Sequence, residues 1–187
     1  MGKRYKFMKI FKDEEYGKKD TFNILILIMI ISGIFGFIYE TFFYTIDLGY
    51  FVKRGSTFGP WIPIYAFGGI FITITAYNLK EKPLLVLVIN CIVTGLLEYL
   101  TGFVLFEYFN TRLWDYNNEI WNFGNINGYI CFRSIAFFGL SGLFLIYIII
   151  PILKKVINRF SVKKLSFFSG LLACIFFFDI FLYWLIK

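Results

Sequence analysis

The chain of 187 residues contains no histidine. That absence excludes catalytic triads and metal centres built on imidazole, and it removes the side chain that switches charge near neutral pH. Cysteine is nearly as scarce. Cys91, Cys131 and Cys174 lie within apolar runs and form no CxxC pair, so neither a disulfide framework nor a thiolate metal site is indicated. Buried, inert thiols are the plain reading. Charged residues make up 17% of the chain, against about 25% in soluble domains. No GxxxxGK[ST] occurs, so the chain has no P-loop with which to hold ATP. No metal and no cofactor is expected.

Apolar residues are abundant instead. They reach 59%, aromatics alone 23%, and the mean hydropathy is +0.71. Five apolar runs stand out, at 23–46, 62–79, 84–109, 129–153 and 165–186. Each approximates the roughly 20 residues of helix that span a hydrocarbon core of about 30 Å. Backbone donors find no water inside lipid, so runs of this length must be helical. Pro63 sits in the first turn of the second run, where a missing N–H costs little. The expected fold is therefore all-α: a polytopic membrane protein with five transmembrane helices.

Charge sets the orientation. Fourteen cations cluster before the first run, between the second and third, and between the fourth and fifth: Lys3, Arg4, Lys6, Lys9, Lys12, Lys18, Lys19, Lys80, Lys82, Lys154, Lys155, Arg159, Lys163 and Lys164. The opposite side carries only Lys53, Arg54, Arg112 and Lys187. Positive residues stay cytoplasmic, so the N-terminus is expected inside and the C-terminus outside. Residues 1–22 are expected to be a basic cytoplasmic segment. Aromatic residues interleaved with its lysines suit either an interfacial helix on anionic headgroups or a solvated tail. Residues 23–187 then form a single transmembrane domain with two long extracytoplasmic loops, 47–61 and 110–128. Loops of this length on a small domain are often functional, although their Trp and Tyr also suit an interfacial belt.

The informative residues are ionisable groups within the runs: Glu40, Glu98, Glu107, Arg133 and Asp179. A charge at mid-bilayer costs at least about 2.5–3.5 kcal/mol, so such groups are paired, protonated or facing a wet cavity. At 1.5 Å per residue, Glu40 lies about 9 Å and Arg133 about 6 Å below the outer end of their helices, in nearly the same layer. Glu98 lies deeper, about 16 Å down. Glu107 sits at the outer edge and faces away from Glu98, because nine residues at about 100° each make a half-turn. Asp179 has no obvious local partner. Interhelical ion pairs that only fix packing are the plain alternative to a wet site.

Several ordered motifs accompany these charges. They are Gly36-Phe37-Ile38-Tyr39-Glu40, Lys53-Arg54-Gly55, Gly59-Pro60, Pro63-Ile64-Tyr65, Glu98-Tyr99-Leu100-Thr101-Gly102 with Glu107, Trp114-Asp115-Tyr116, and Asn125-Ile126-Asn127-Gly128, followed by Cys131 and Gly139. In this order and spacing, over roughly 24–153, the chain resembles the ABC-transporter type IV membrane family of small bacterial permease-like proteins. Ala66, Lys53 and Asn117 stand where that family's pattern usually has Gly, Asn and Ser. The resemblance implies a permease subunit in the bacterial cytoplasmic membrane, working with a separate ATPase subunit.

The candidate solute or ion pathway comprises Glu40, Lys53, Arg54, Gly59, Pro60, Tyr65, Glu98, Glu107, Trp114, Asp115, Tyr116, Asn125 and Arg133. Three classes of function stay open. A transport component would bind a solute or ion in the outer half of the membrane; five spans are few for a permease, so a homodimer or a partner is expected. An intramembrane enzyme acting on a lipid or lipid-linked substrate would use Glu40, Glu98 or Asp115 as acid and base. A scaffold or sensor would use none of them chemically. The partners expected are the lipid bilayer and proteins within it. No nucleic acid is expected, because the lysines flank spans and no folded basic domain carries them.

Overall fold

The computed structural model of the chain describes Phe11 and residues 17–186. Most of the basic segment and Lys187 therefore lie outside the described residues. The described chain forms five long helices: α1 Lys18–Leu48, α2 Pro63–Ala76 extended by a 3-10 turn Tyr77–Leu79, α3 Pro83–Phe109, α4 Phe132–Ile157 and α5 Val162–Ile186. Local chemistry explains the boundaries. Gly49 ends α1 in the left-handed conformation with its N–H on the Thr45 carbonyl. Pro63 and Pro83 open α2 and α3 at positions that need no N–H. Cys131 caps α4 in a reciprocal arrangement with Ser134, so this helix starts three residues later than the apolar run at 129–153 suggested.

Four of the five helices, α1, α3, α4 and α5, are long and apolar enough to cross a membrane. The second, Pro63–Leu79, is shorter. It runs from the middle of the bundle to the basic end. Ile62, just before it, donates to the Gly33 carbonyl midway along α1. Tyr77, at its far end, meets Lys154 of α4 through a 2.8 Å hydrogen bond. The short length is compensated by the preceding loop. Gly33 lies fifteen residues before the end of α1, so residues 49–62 descend about 22 Å along that helix before α2 begins.

The two ends of the bundle differ. At the basic end, Ile24, Ile28, Ile72, Val86, Ile146 and Ile150 form an apolar core from α1, α2, α3 and α4. Phe11 joins it, edge-on to Tyr77 and beneath the Lys154 ammonium. The end carrying both long loops is polar inside. Helix α4 runs through a π segment, Leu145–Ile149, in which Ile150 N–H reaches the Leu145 carbonyl. Pro151 explains it: its ring crowds the preceding turn and its nitrogen donates nothing, so the turn widens. The helix then continues past Pro151 to Ile157. Helix α5 packs on α1, latched near the basic end by Asn23, which donates to Ser166 at 2.8 Å and accepts from Ser169 at 2.9 Å.

Candidate functional site

At the loop end, α1, α2, α3 and α4 surround a small cavity with about 30 Å³ open to water centres, room for one or two water-sized species. Glycine shapes it. Gly36 leaves no side chain on α1, and the Tyr65 ring of α2 occupies the place a Cβ would take. Glu40 follows one turn later on α1. Glu98 comes from α3, and Arg133 and Ser134 from the first turn of α4. Trp114 and Tyr116 reach in from the second loop.

The charges are held unequally. Glu40 pairs with Arg54 at 3.4 Å, and Arg54 also donates to the Leu113 carbonyl and lies 3.7 Å over the Tyr44 ring. Arg133 pairs with Glu119, donates to the Ile120 carbonyl at 3.0 Å and lies 4.2 Å over the Phe43 ring. Glu119 also accepts from the Tyr44 hydroxyl. Each of these two guanidiniums thus has a carboxylate and an aromatic face, and Arg133 also lies 5.4 Å over the Tyr116 ring. Glu98 has no such cation. It is only 3% exposed; its Oε1 accepts from the Tyr116 hydroxyl at 2.5 Å, and its Oε2 has no hydrogen-bond partner. Burial, and then the Glu98 carboxylate, push the Tyr116 phenol well above its ordinary pKa, which keeps it a donor.

A second polar cluster forms where the first loop meets α5. The descending first loop would carry unsatisfied backbone groups into a dry environment. Asp179 of α5 answers this: its carboxylate accepts from Phe58 N at 3.0 Å, Gly59 N at 2.8 Å and Trp61 Nε1 at 2.6 Å. Thr57 Oγ1 donates to the Trp61 carbonyl at 2.7 Å, and Lys53 Nζ to the Phe58 carbonyl. Asp179, without a local partner in the sequence, therefore binds a loop some 120 residues away.

Of the expected pathway residues, Glu40, Tyr65, Glu98, Trp114, Tyr116 and Arg133 line the cavity together. Arg54 stands behind Glu40. Lys53, Gly59 and Pro60 belong to the loop held by Asp179, which accepts from the backbone N–H groups of Phe58 and Gly59. Glu107 is exposed and accepts from the Tyr129 hydroxyl at 2.9 Å at the rim. Asp115 and Asn125 organise the second loop. Asp115 pairs with Arg112 at 2.9 Å and accepts from Asn117, while Asn125 accepts from Gly128 N at 2.8 Å. The sequence reading did not single out Tyr44, Glu119 or Ser134, and had Tyr39 only within the Gly36–Glu40 motif. The signal for them was aromatic spacing on α1 and the second of two acids in the second loop.

Fold and site together define a polytopic, α-helical membrane protein with a polar cavity toward the end bearing its long loops. The chain belongs to the family described as "Putative ABC-transporter type IV", whose model matches residues 27–183. That match takes in α5, beyond the stretch 24–153 that carries the sequence resemblance. No curated protein and no solved structure matches the chain.

Proposed function

We propose that this chain is the membrane-embedded component of an ABC-type transport system, that its cavity receives a small cationic solute from the outer side, and that a separate chain supplies the ATPase. All five helices cross the bilayer in this reading, with α2 completed by the re-entrant loop 49–62. The inner end in this reading carries Lys18, Lys19, Lys80, Lys82, Lys154, Lys155, Arg159, Lys163 and Lys164, and their excess supports an N-terminus in the cytoplasm and a C-terminus outside. Family membership supports a transport role, and the absent P-loop requires the nucleotide to be bound elsewhere.

One observation carries the choice of a cationic solute: Glu98 lines the cavity, and its buried Oε2 oxygen has no hydrogen-bond partner, the nearby Ser134 hydroxyl donating to the Cys131 carbonyl instead. An unmet acceptor in a dry site costs about 1–3 kcal/mol, and more when charged. The neighbouring guanidiniums already hold carboxylates, so the group that Glu98 accepts is an arriving cation. The aromatic walls offer it ring faces as well.

Isothermal titration of the protein in nanodiscs with methylammonium, sodium, potassium and formate tests the site. Saturable binding of a cation, weakened at least tenfold in Glu98→Gln, is the expected result. Binding of formate alone, or cation binding indifferent to Glu98, overturns it. Affinity purification from native membranes tests the partnership: an ATPase chain with a P-loop should co-purify, and its consistent absence under mild extraction contradicts the transport reading.

A further inference from the structure

A second cavity lies directly below the polar one, toward the basic end. It has about 50 Å³ open to water centres, and its walls are almost wholly apolar. Ile31 and Phe35 of α1, Gly68 and Ile72 of α2, and Phe144 and Leu145 of α4 form it. Tyr65 and Phe138, tilted against each other with centroids 4.7 Å apart, line both cavities and are the partition between them.

Both cavities lie along one seam, between α1 and α4. The seam closes at the basic end, where α1 meets the Ile150–Ile157 segment of α4. Above that point rings bridge it. Tyr39 stacks on Phe137 with centroids 3.5 Å apart, level with the polar cavity. Phe35 stacks on Phe144 at 6.0 Å, level with the apolar one, and both these phenylalanines are exposed at the bundle surface. The π segment widens α4 where the seam begins to open, since Leu145 and Ile149 both line the lower cavity. Along this stretch the seam is closed by side chains, the stacked rings of Tyr39 and Phe137 and of Phe35 and Phe144.

From this continuity we infer that the two cavities are one site for a bilayer amphiphile with a cationic ammonium head and a single alkyl chain, admitted sideways between α1 and α4. The inference rests on the proposed cation site and names its substrate class. The head lies against Glu98 Oε2, the acceptor without a donor, within the aromatic walls. The chain passes the Tyr65–Phe138 partition into the apolar cavity. From Glu40 to Ile31 the seam runs nine residues, about 14 Å, on the order of ten methylenes of extended chain. Lipid tails are as apolar as the protein's own side chains, so the chain contributes orientation more than affinity when the ligand arrives from the membrane. Selectivity then resides in the head, where an anionic group would meet an unpaired carboxylate.

The test compares decylammonium, decyl sulfate and methylammonium by thermal stability of the full chain in maltoside micelles. Four proteins are measured: wild type, Glu98→Gln, Gly68→Leu and Ser141→Leu. Gly68 and Ser141 line the lower cavity from α2 and α4; a Cβ at Gly68 has ordinary space, its nearest neighbour being Leu97 at 3.8 Å, and Ser141→Leu narrows the same cavity should the first variant fail to fold. The expected result is saturable stabilisation by decylammonium at an at least tenfold lower concentration than methylammonium. Glu98→Gln should abolish it, and the cavity-filling variants should remove the chain-length advantage while the methylammonium response persists. Equal stabilisation by decyl sulfate overturns the inference. So does a methylammonium response through Glu98 with no gain from the chain, which leaves the cation site standing. No Glu98-dependent response to either ammonium overturns both.

Discussion

Two acidic side chains in the loop half of this bundle are built to opposite rules. Asp179 is saturated: two backbone N–H groups and an indole N–H converge on its carboxylate. Glu98 is more deeply buried than Asp179, yet one of its oxygens accepts nothing. The first arrangement solves a folding problem, since a loop that descends along α1 must satisfy its backbone away from water. The second creates an unmet demand at a cavity, and a protein tolerates such a cost where a ligand or water relieves it. The contrast teaches that membrane carboxylates cannot be sorted by depth or by residue type. The inventory of donors around each one sorts them.

Removing each group should separate the two roles, with the largest effect at the clasp. Asp179→Ala leaves three donors without their acceptor and should destabilise the fold by on the order of 3 kcal/mol or more. Thermal unfolding followed by tryptophan fluorescence would record it, and Asp179→Asn should recover only part, because an amide offers one acceptor oxygen in place of two. Next comes Arg133→Met, which keeps the stem but strands Glu119 with Tyr44 and frees the Ile120 carbonyl. A loss of about 2–4 kcal/mol is expected by the same unfolding measurement. Arg133→Lys should restore less than half of it, since an ammonium cannot reach Glu119 and Ile120 in one plane.

Glu98→Gln should fall well below these in stability, within about 1 kcal/mol of wild type, because the amide still accepts from Tyr116 and the lost charge was never compensated. Its effect belongs to binding instead, as a tenfold or greater weakening of the ammonium response. Glu107→Gln should do least. The side chain is exposed at the rim, and both unfolding and ammonium binding should match wild type within error. A result that reversed the order of Asp179 and Glu98 in stability would dissolve the distinction between clasp and cavity.

Much of this was visible in the residues alone, for identifiable reasons. Long apolar runs follow from local composition, so five helices were expected as spans; the five helices are there, and four of them are long and apolar enough to cross a membrane. Helical rise placed Glu40 and Arg133 in one layer, and the structure has both on one cavity. The half-turn between Glu98 and Glu107 likewise separates a buried acid from a rim acid. What escaped depends on contacts distant in sequence. The partners of Asp179 come from a loop whose descent is set by one hydrogen bond, from Ile62 to Gly33. Gly59 and Pro60 were expected in a solute pathway; the Gly59 N–H, with that of Phe58, is held by Asp179. Glu119 reaches Arg133 only because the second loop folds back over α4. The π segment ahead of Pro151 was foreshadowed by the proline, but its consequence, a seam widened between α1 and α4, needed the helices in place.

The central claim concerns one carboxylate and the cation it awaits. Infrared difference spectroscopy on the protein in nanodiscs, with and without methylammonium, interrogates that group directly. A carboxylate stretching change on ligand addition, present in wild type and absent in Glu98→Gln, is the predicted result. No carboxylate signal on addition, or one that survives intact in Glu98→Gln, would contradict it.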